Sequence, residues 1–252
     1  MLHKNPLIIS PHTFLLIQQL QSLPELSGFY LVGVTALALQ LGHRNSIDID
    51  LFSQTNLTAI EIEDALKGKR DFKITVSRNN TVLGVVDSIK TDFIKHDYPL
   101  ISAPITEDGI TYLSKEDIAA MKLHAIIQSG KRLKDFIDIY FLLQHFTMDQ
   151  LIGFFVKKYT YSNPLIALKA VTYFDDIEEN ANPPKLLQPL PLAAIKKRIL
   201  PAAQKPHITF LLAVFYRPAI CMNFFCSSLS KQLSEIQGNK TIPLKLSIRC
   251  SR

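Results

Sequence analysis

The amino-acid sequence predicts an α+β fold, and three observations support this. Over the first 112 residues, segments with helical spacing of apolar residues alternate with short segments typical of strands. From about residue 113 onward only helical spacing recurs. The chain of 252 residues is 47% hydrophobic and 20% charged, which is typical of a globular protein with a substantial core.

The strands are predicted in the first part of the chain. His12–Leu23 carries leucines at helical spacing and ends before Pro24, so it is predicted as a helix. Asp87-Ser88 fits a tight turn between two strands. The predicted strands are Phe29–Val32, Ser46–Phe52, Asp71–Val76, Thr81–Val86 and Ile89–Ile94. The predicted helices between them are Thr35–Leu41 and Thr58–Lys67, each followed by a glycine.

The helices of the second part begin at recognisable caps. Ser114 with Asp117, and Thr147 with Gln150, have the spacing of capping boxes, and Asn163 precedes a proline suited to a first helical position. Lys134–Phe146 and Leu192–Leu200 are predicted as further helices, the latter after a proline-rich linker. Pro201 is expected to interrupt the last helix.

Charge and cysteine are unevenly distributed. The net charge is +6, yet residues 211–252 hold six basic residues, one acid and all three cysteines. We therefore predict a boundary near residue 210, with a mixed α/β part at 1–112, a helical domain at 113–210, and a tail at 211–252 that is poorly ordered or read through a frameshift. Three cysteines exclude a disulfide scaffold, and no apolar run reaches the ~18 residues of a membrane span, so a cytoplasmic protein without membrane contact is expected.

The predicted strand Ser46–Phe52 contains the first candidate site residues. Asp48 and Asp50 share one face, about 7 Å apart, while Ile47, Ile49 and Leu51 are predicted to face the core. Two neighbouring carboxylates favour a hard cation such as Mg²⁺, and Asp92 on a neighbouring strand would add a third. Two solvent-facing acids remain the alternative. The turn and helix start at Gly33–Thr35 precede this strand and suit a phosphate.

Three segments together resemble the AbiEii/AbiGii-type nucleotidyltransferase toxins of the DNA polymerase β-like superfamily. The first motif spans Phe29–Leu39 and Gly42–Ser53, the lysine motif Tyr112–Ile126, and the last motif Gly130–Leu143. The resemblance covers roughly residues 1–210. It implies a nucleotidyltransferase core at 1–112, built as a small mixed sheet flanked by helices, and a helical domain at 113–210 that completes the active site. The tail at 211–252 would be non-homologous.

The resemblance also implies roles, residue by residue. Asp48 and Asp50 would bind Mg²⁺, and Asp92 would be a third ligand or the general base for the acceptor. Gly33 and Thr35 would hold the triphosphate, with Arg44 and Ser46 beside it. Lys122 would contact a phosphate of the nucleotide, and Asp135 or Asp138 would complete the site. The implied activity is transfer of a nucleoside monophosphate from an NTP to an acceptor such as tRNA, in a toxin–antitoxin or abortive phage-infection system whose antitoxin is encoded nearby.

Each role has a plainer alternative. Lys122 fits a surface lysine with a buried stem, and Asp135 and Asp138 fit acids that favour the start of a helix. Arg44 could pair with Asp48 or Asp50 for charge balance. The basic run 196–198 fits a solvated helix face, with RNA contact as the sharper alternative.

Val34 departs from the family pattern, which has two glycines before the threonine. If this position needs a left-handed backbone, or close approach of a phosphate, nucleotide binding is weakened. If it only starts a helix, valine is tolerated. A catalytically degenerate relative that binds nucleotide or RNA without turnover is therefore the alternative function.

Overall fold

The computed structural model describes residues 1–179 and 184–209 and has the predicted α+β architecture. The strands are β1 (Tyr30–Leu31), β2 (Ile49–Ser53), β3 (Phe72–Arg78), β4 (Thr81–Val86), β5 (Ile89–Lys95), β6 (Ile105–Glu107) and β7 (Ile110–Tyr112). The helices are α1 (Pro11–Gln21), α2 (Gly33–Leu41), α3 (Ala59–Leu66), α4 (Lys115–Ser129), α5 (Leu133–Leu142), α6 (Met148–Lys158), α7 (Pro164–Thr172) and α8 (Leu192–Gln204). The predicted tail, 211–252, lies outside the described residues.

The strands form one mixed sheet in the order β3-β4-β5-β2-β1-β7-β6. β2 pairs in parallel with β5, and β1 in parallel with β7, while the other neighbours are antiparallel. This topology places the acid-bearing strands β2 and β5 side by side at the centre of the sheet. The hairpin of β6 and β7 was not predicted from the sequence.

Local caps explain several helix starts. Thr58 and Thr147 form complete capping boxes with Glu61 and Gln150. The Ser114 hydroxyl accepts the backbone N–H of Asp117 at the start of α4. α4 packs against α5, α6 and α7, so it is the central helix of the second part.

Two sequence expectations are wrong. Ile47 lies before the first residue of β2 and its exposed fraction is 64%, because the chain there is not yet a strand with one face on the core. Helix α8 continues through Pro201 to Gln204, where Ile199 and Ala202 are buried on either side. Burial of this face offsets the backbone hydrogen bond that proline cannot donate.

Candidate active site

A cleft of about 790 Å³ is lined by the sheet on one side and by α4 and α5 on the other. Its acidic lining residues are Asp48, Asp50 and Asp135. Its basic lining residues are Arg44, Lys90, Lys122, Arg132, Lys134 and Lys185. The cleft therefore brings carboxylates from the sheet opposite Lys122, Arg132 and Lys134 of the helical part.

Asp50 and Asp92 lie directly opposite each other on the parallel strands β2 and β5. Burial, reinforced by the negative charge of Asp92, raises the pKa of Asp50 to about 6. One oxygen of Asp92, Oδ2, accepts a hydrogen bond of 2.9 Å from Lys90. The other, Oδ1, is buried and has no hydrogen-bond partner among the described residues. Among the described residues, Lys90 is therefore the one cation that contacts this pair of carboxylates.

Gly33 allows the start of α2 to approach these carboxylates. Its φ of +66° lies in the left-handed region, and a Cβ at this position would overlap the carboxylate of Asp50. Both constraints favour glycine here. The first residues of α2 consequently lie at the cleft, with backbone N–H groups that have no partner within the helix.

The hydroxyl of Thr35 holds the segment that leads into β2. It is fully buried and donates to the backbone carbonyl of Asp48, so the neighbouring hydroxyl of Ser46 must donate to it, at 2.6 Å. Thr35 thus lies behind the cleft and positions Asp48, whereas Ser46 is part of the lining.

Asp138 is the centre of a buried ion cluster. Its carboxylate, which is 0% exposed, accepts two hydrogen bonds from the Arg44 guanidinium, at 2.8 and 3.0 Å, and one from His43 at 2.9 Å. The ammonium of Lys122 lies 2.7 Å away. Burial alone would raise its pKa, but Arg44, Lys122 and His43 hold the pKa of Asp138 well below its usual value. The expectation that Arg44 pairs with Asp48 or Asp50 is wrong.

Asp135 borders the cleft one helical turn before Asp138. It accepts hydrogen bonds from Lys122 at 3.0 Å and from Arg132 at 2.8 Å. Burial works against the charged ammonium, yet Asp138 and Asp135 raise the pKa of Lys122, so it is cationic at neutral pH. Lys122 is therefore a fixed positive charge at the cleft wall, held there by two aspartates.

The carboxylates of the sheet suit a divalent cation by chemistry. Within residues 1–179 and 184–209, no three His, Cys, Asp or Glu side chains are already arranged around one metal position. The unpartnered oxygen of Asp92 and the raised pKa of Asp50 nevertheless indicate a site where negative charge exceeds positive charge. Carboxylate oxygens are the ligands that Mg²⁺ prefers in proteins. Asp48, Asp50 and Asp92 fit such an ion.

Most of the predicted site residues meet at the cleft. The lining includes Gly33, Arg44, Ser46, Asp48, Asp50, Lys122 and Asp135, while Asp92 adjoins Asp50, and Thr35 and Asp138 lie behind. Sequence reasoning missed Lys90, Arg132, Lys134 and Lys185. Strand alternation places Lys90 on the same face as Asp92, and Arg132 and Lys134 lie three and one residues before Asp135. The sequence therefore contained a signal for the positions of these three cations.

Lys185 reaches the cleft through long-range backbone pairing. The N–H of Asn45 donates to its carbonyl at 2.9 Å, and Arg44 and Leu186 form an isolated antiparallel bridge. Nothing in the local sequence around Lys185 predicts this pairing.

Val34 has no left-handed backbone. The described non-glycine residues with positive φ are Asn80, Asp87, Ser88 and Asp108. The left-handed position is Gly33, and Val34 continues the first turn of α2 with its side chain at the cleft. The backbone part of the objection to valine is thereby removed.

The basic run of α8 is largely engaged by the protein itself. The guanidinium of Arg198 lies 3.7 Å from the ring centre of Tyr140 and donates to its carbonyl. The ammonium of Lys196 lies 5.4 Å from the ring centre of Phe174. Lys197 is exposed. These contacts fix α8 against the rest of the chain and do not favour the RNA-contact alternative.

Comparisons with known proteins found a matching family model and a relative of similar sequence. The family model described as "Nucleotidyl transferase AbiEii toxin, Type IV TA system" matches residues 83–215. The uncharacterized protein aq_aa25 of Aquifex aeolicus is 32% identical over 169 residues, which cover 65% of this chain and 82% of that protein. No helix among the described residues is both long and apolar enough to span a membrane.

Two solved structures from Helicobacter pylori are also similar. JHP933 covers 87% of this chain and 90% of its own at 19% identity, with a TM-score of 0.47. A candidate nucleotidyltransferase covers 79% of this chain and 96% of its own at 20% identity, with a TM-score of 0.49.

Proposed function

The chain belongs to the family of AbiEii nucleotidyl transferase toxins, and from this premise we propose that it moves a nucleoside monophosphate from an NTP to an acceptor. Pyrophosphate is the second product. The observation that carries the proposal is the carboxylate pair Asp50–Asp92, which a single cation, Lys90, contacts and which faces a wall of basic side chains. Transfer of a phosphoryl group needs both: a cation-binding edge and a phosphate-binding wall.

The triphosphate would lie between the start of α2 and the basic wall. The free N–H groups at the start of this nine-residue helix suit phosphate oxygens. Lys122, Arg132 and Lys134 line the opposite side. Asp135 and Asp138 fix the position of the Lys122 ammonium. Its charge would therefore stabilise the transition state with little rearrangement of the surrounding groups.

Asp48, Asp50 and Asp92 would hold Mg²⁺, which when bound neutralises charge on the reacting phosphate and on the leaving pyrophosphate. Gly33 and Thr35 keep two of these carboxylates in place, the first by close approach to Asp50 and the second through the backbone of Asp48. Asp92 has a second suitable role, acceptance of the proton of the attacking hydroxyl, because its Oδ1 is free among the described residues.

Label transfer from radioactive NTPs tests the proposal. The purified chain is incubated with each labelled NTP, Mg²⁺ and total tRNA. Transfer to RNA that disappears in Asp48→Ala supports the enzyme. Asp97→Ala is the matched control, since Asp97 is an exposed acid just beyond β5 that pairs with Lys95 away from the cleft. NTP binding without transfer to any acceptor would favour the degenerate relative, whose motivation is the Val34 side chain at the cleft.

The family description names a type IV toxin–antitoxin system, so we propose an antitoxin encoded nearby and a role in phage defence in the cytoplasm. Expression of the chain should arrest growth, Asp48→Ala should not, and co-expression of the adjacent gene should relieve the arrest. Equal toxicity of the wild-type chain and Asp48→Ala would contradict a toxin that acts by nucleotidyl transfer.

A further inference from the structure

Lys90 lies in the region of the cleft where positive charge is scarce. It precedes Asp92 by two residues on β5, so both side chains project from the same face of the sheet. Its ammonium lies 2.9 Å from Oδ2 of Asp92. The Lys90 side chain is 56% exposed, whereas that of Asp92 is 11% exposed. Lys90 therefore reaches a nearly buried carboxylate from the solvent side.

Three other cations of the cleft are already paired with acids of the helical part, and Lys134 and Lys185 form no ion pair with these carboxylates in the described part of the chain. Arg44 and Lys122 bind Asp138, and Arg132 binds Asp135. Lys90 is thus the side chain that balances Asp92 and Asp50 when no other cation is present.

We propose that Lys90 is a built-in counter-cation that competes with the divalent cation for Asp92 and turns to a phosphate of the nucleotide once that cation is bound. The inference rests on the proposed function, which places a divalent cation at Asp48, Asp50 and Asp92. The ammonium at 2.9 Å already compensates the charge on Oδ2 of Asp92, which a divalent cation would otherwise do. Because Lys90 is more than half exposed, its release restores hydration at little cost, and as a lining residue it remains within the cleft.

Direct titration with Mn²⁺, without nucleotide, tests the competition. Electron paramagnetic resonance of free Mn²⁺ measures its affinity for the full chain. Lys90→Gln should bind Mn²⁺ about three- to tenfold more tightly than the wild-type chain, because one competing charge is removed. Lys90→Arg keeps the competitor and should bind no more tightly than the wild type.

Lys185→Gln is the matched control. Lys185 is also an exposed lysine that lines the cleft, and in the described part of the chain it forms no ion pair. Its loss changes the net charge equally but leaves Asp92 paired, so the Mn²⁺ affinity should change less than about twofold. Thermal melts of all variants confirm that they are folded.

The outcomes separate this inference from the proposed function. If Lys90→Gln and Lys185→Gln change the Mn²⁺ affinity equally, or if neither does, Lys90 is no competitor, although the wild-type chain still binds metal. If no variant binds Mn²⁺ at millimolar concentration, both the inference and the proposed metal site fail. In a second titration, with Mg²⁺ and inorganic tripolyphosphate, Lys90→Gln should weaken phosphate binding; unchanged binding overturns the transfer of Lys90 to a phosphate.

Discussion

Two buried aspartates of this protein meet opposite electrostatic surroundings. Asp138, in the helical part, is bound by Arg44, Lys122 and His43, and these partners hold its pKa far below the usual value although burial works against them. Asp50, in the sheet, faces Asp92, and burial together with this neighbour raises its pKa to about 6. Cations of the chain neutralise the Asp138 carboxylate, whereas Asp50 has no ion-pair partner among the described residues.

The difference separates a carboxylate that serves the fold from one available to a ligand. A buried charge that its own protein satisfies is costly to disturb and gains little from a ligand. A buried charge that the protein leaves uncompensated lowers stability, and such an arrangement is favoured where a ligand supplies the missing charge. The two regions should therefore respond to substitution with opposite signs.

Asp138→Ala should produce the largest effect. It leaves Arg44 and Lys122 buried without this shared partner, and breaking such a cluster costs about 3–5 kcal/mol of the free energy of unfolding. Urea unfolding at pH 7 measures the loss. Asp149→Ala, at a half-exposed acid outside the cluster, should cost less than about 1 kcal/mol. A loss at Asp138 as small as this would mean that the two aspartates do not differ as argued.

Asp50→Asn should have the opposite sign. Because the folded protein holds the Asp50 proton up to about pH 6 and the unfolded chain only to about 3.8, wild-type stability falls as the pH rises through this window. Asparagine removes the penalty, so at pH 8 the free energy of unfolding should increase by about 2–3 kcal/mol, with little change at pH 4. Urea unfolding at both pH values measures it.

Magnesium sharpens the same measurement. At pH 8, Mg²⁺ should stabilise the wild-type chain, since it binds the folded state, and should stabilise Asp50→Asn much less. Destabilisation by Asp50→Asn at pH 8, comparable to that of Asp138→Ala, would remove the contrast between the two regions.

Gly33→Ala should cost stability through the contact with Asp50. Alanine pays about 1 kcal/mol for the left-handed backbone, and its Cβ additionally displaces the Asp50 carboxylate. Gly68→Ala is a close control, because Gly68 has a φ of +69° and a Cβ added there would meet no atom within 4 Å. The loss in Tm should therefore be larger for Gly33→Ala, and only this variant should weaken Mn²⁺ binding. Equal effects on both measurements would show that Gly33 serves the turn alone.

The sequence predicts the central part of this arrangement because its signals are local. Strand alternation predicts one face for Asp48 and Asp50, and both line the cleft. The confirmed cap at Thr147 lies three residues from its partner, Gln150. The confirmed α+β fold follows from the same periodicities. Roles drawn from the resemblance gave the remaining candidates, most of which line one cleft.

What the sequence does not predict depends on distant contacts. Arg44 has acids four and six residues away, yet its partner is Asp138, 94 residues on. The short strand Ile110–Tyr112 gains its place from pairing with β1, and Ile105–Glu107 pairs with it in turn. Pro201 is accommodated by burial of its neighbours in α8. Such pairings are decided by packing, which no local pattern contains.

Substitution of Val34 should have the smallest effect, and it tests whether a nucleotide can reach the carboxylate pair. Because the left-handed position is Gly33, Val34→Gly needs no change of backbone and should cost up to about 1 kcal/mol of stability, as glycine does within a helix. Val34→Ala trims the same side chain without that flexibility. If the valine side chain leaves room for phosphate, both variants should bind NTP within about threefold of the wild type in equilibrium titrations with Mg²⁺. A tenfold or larger gain in NTP affinity in both variants would show that Val34 obstructs the phosphate beside Asp50, and would favour the degenerate relative.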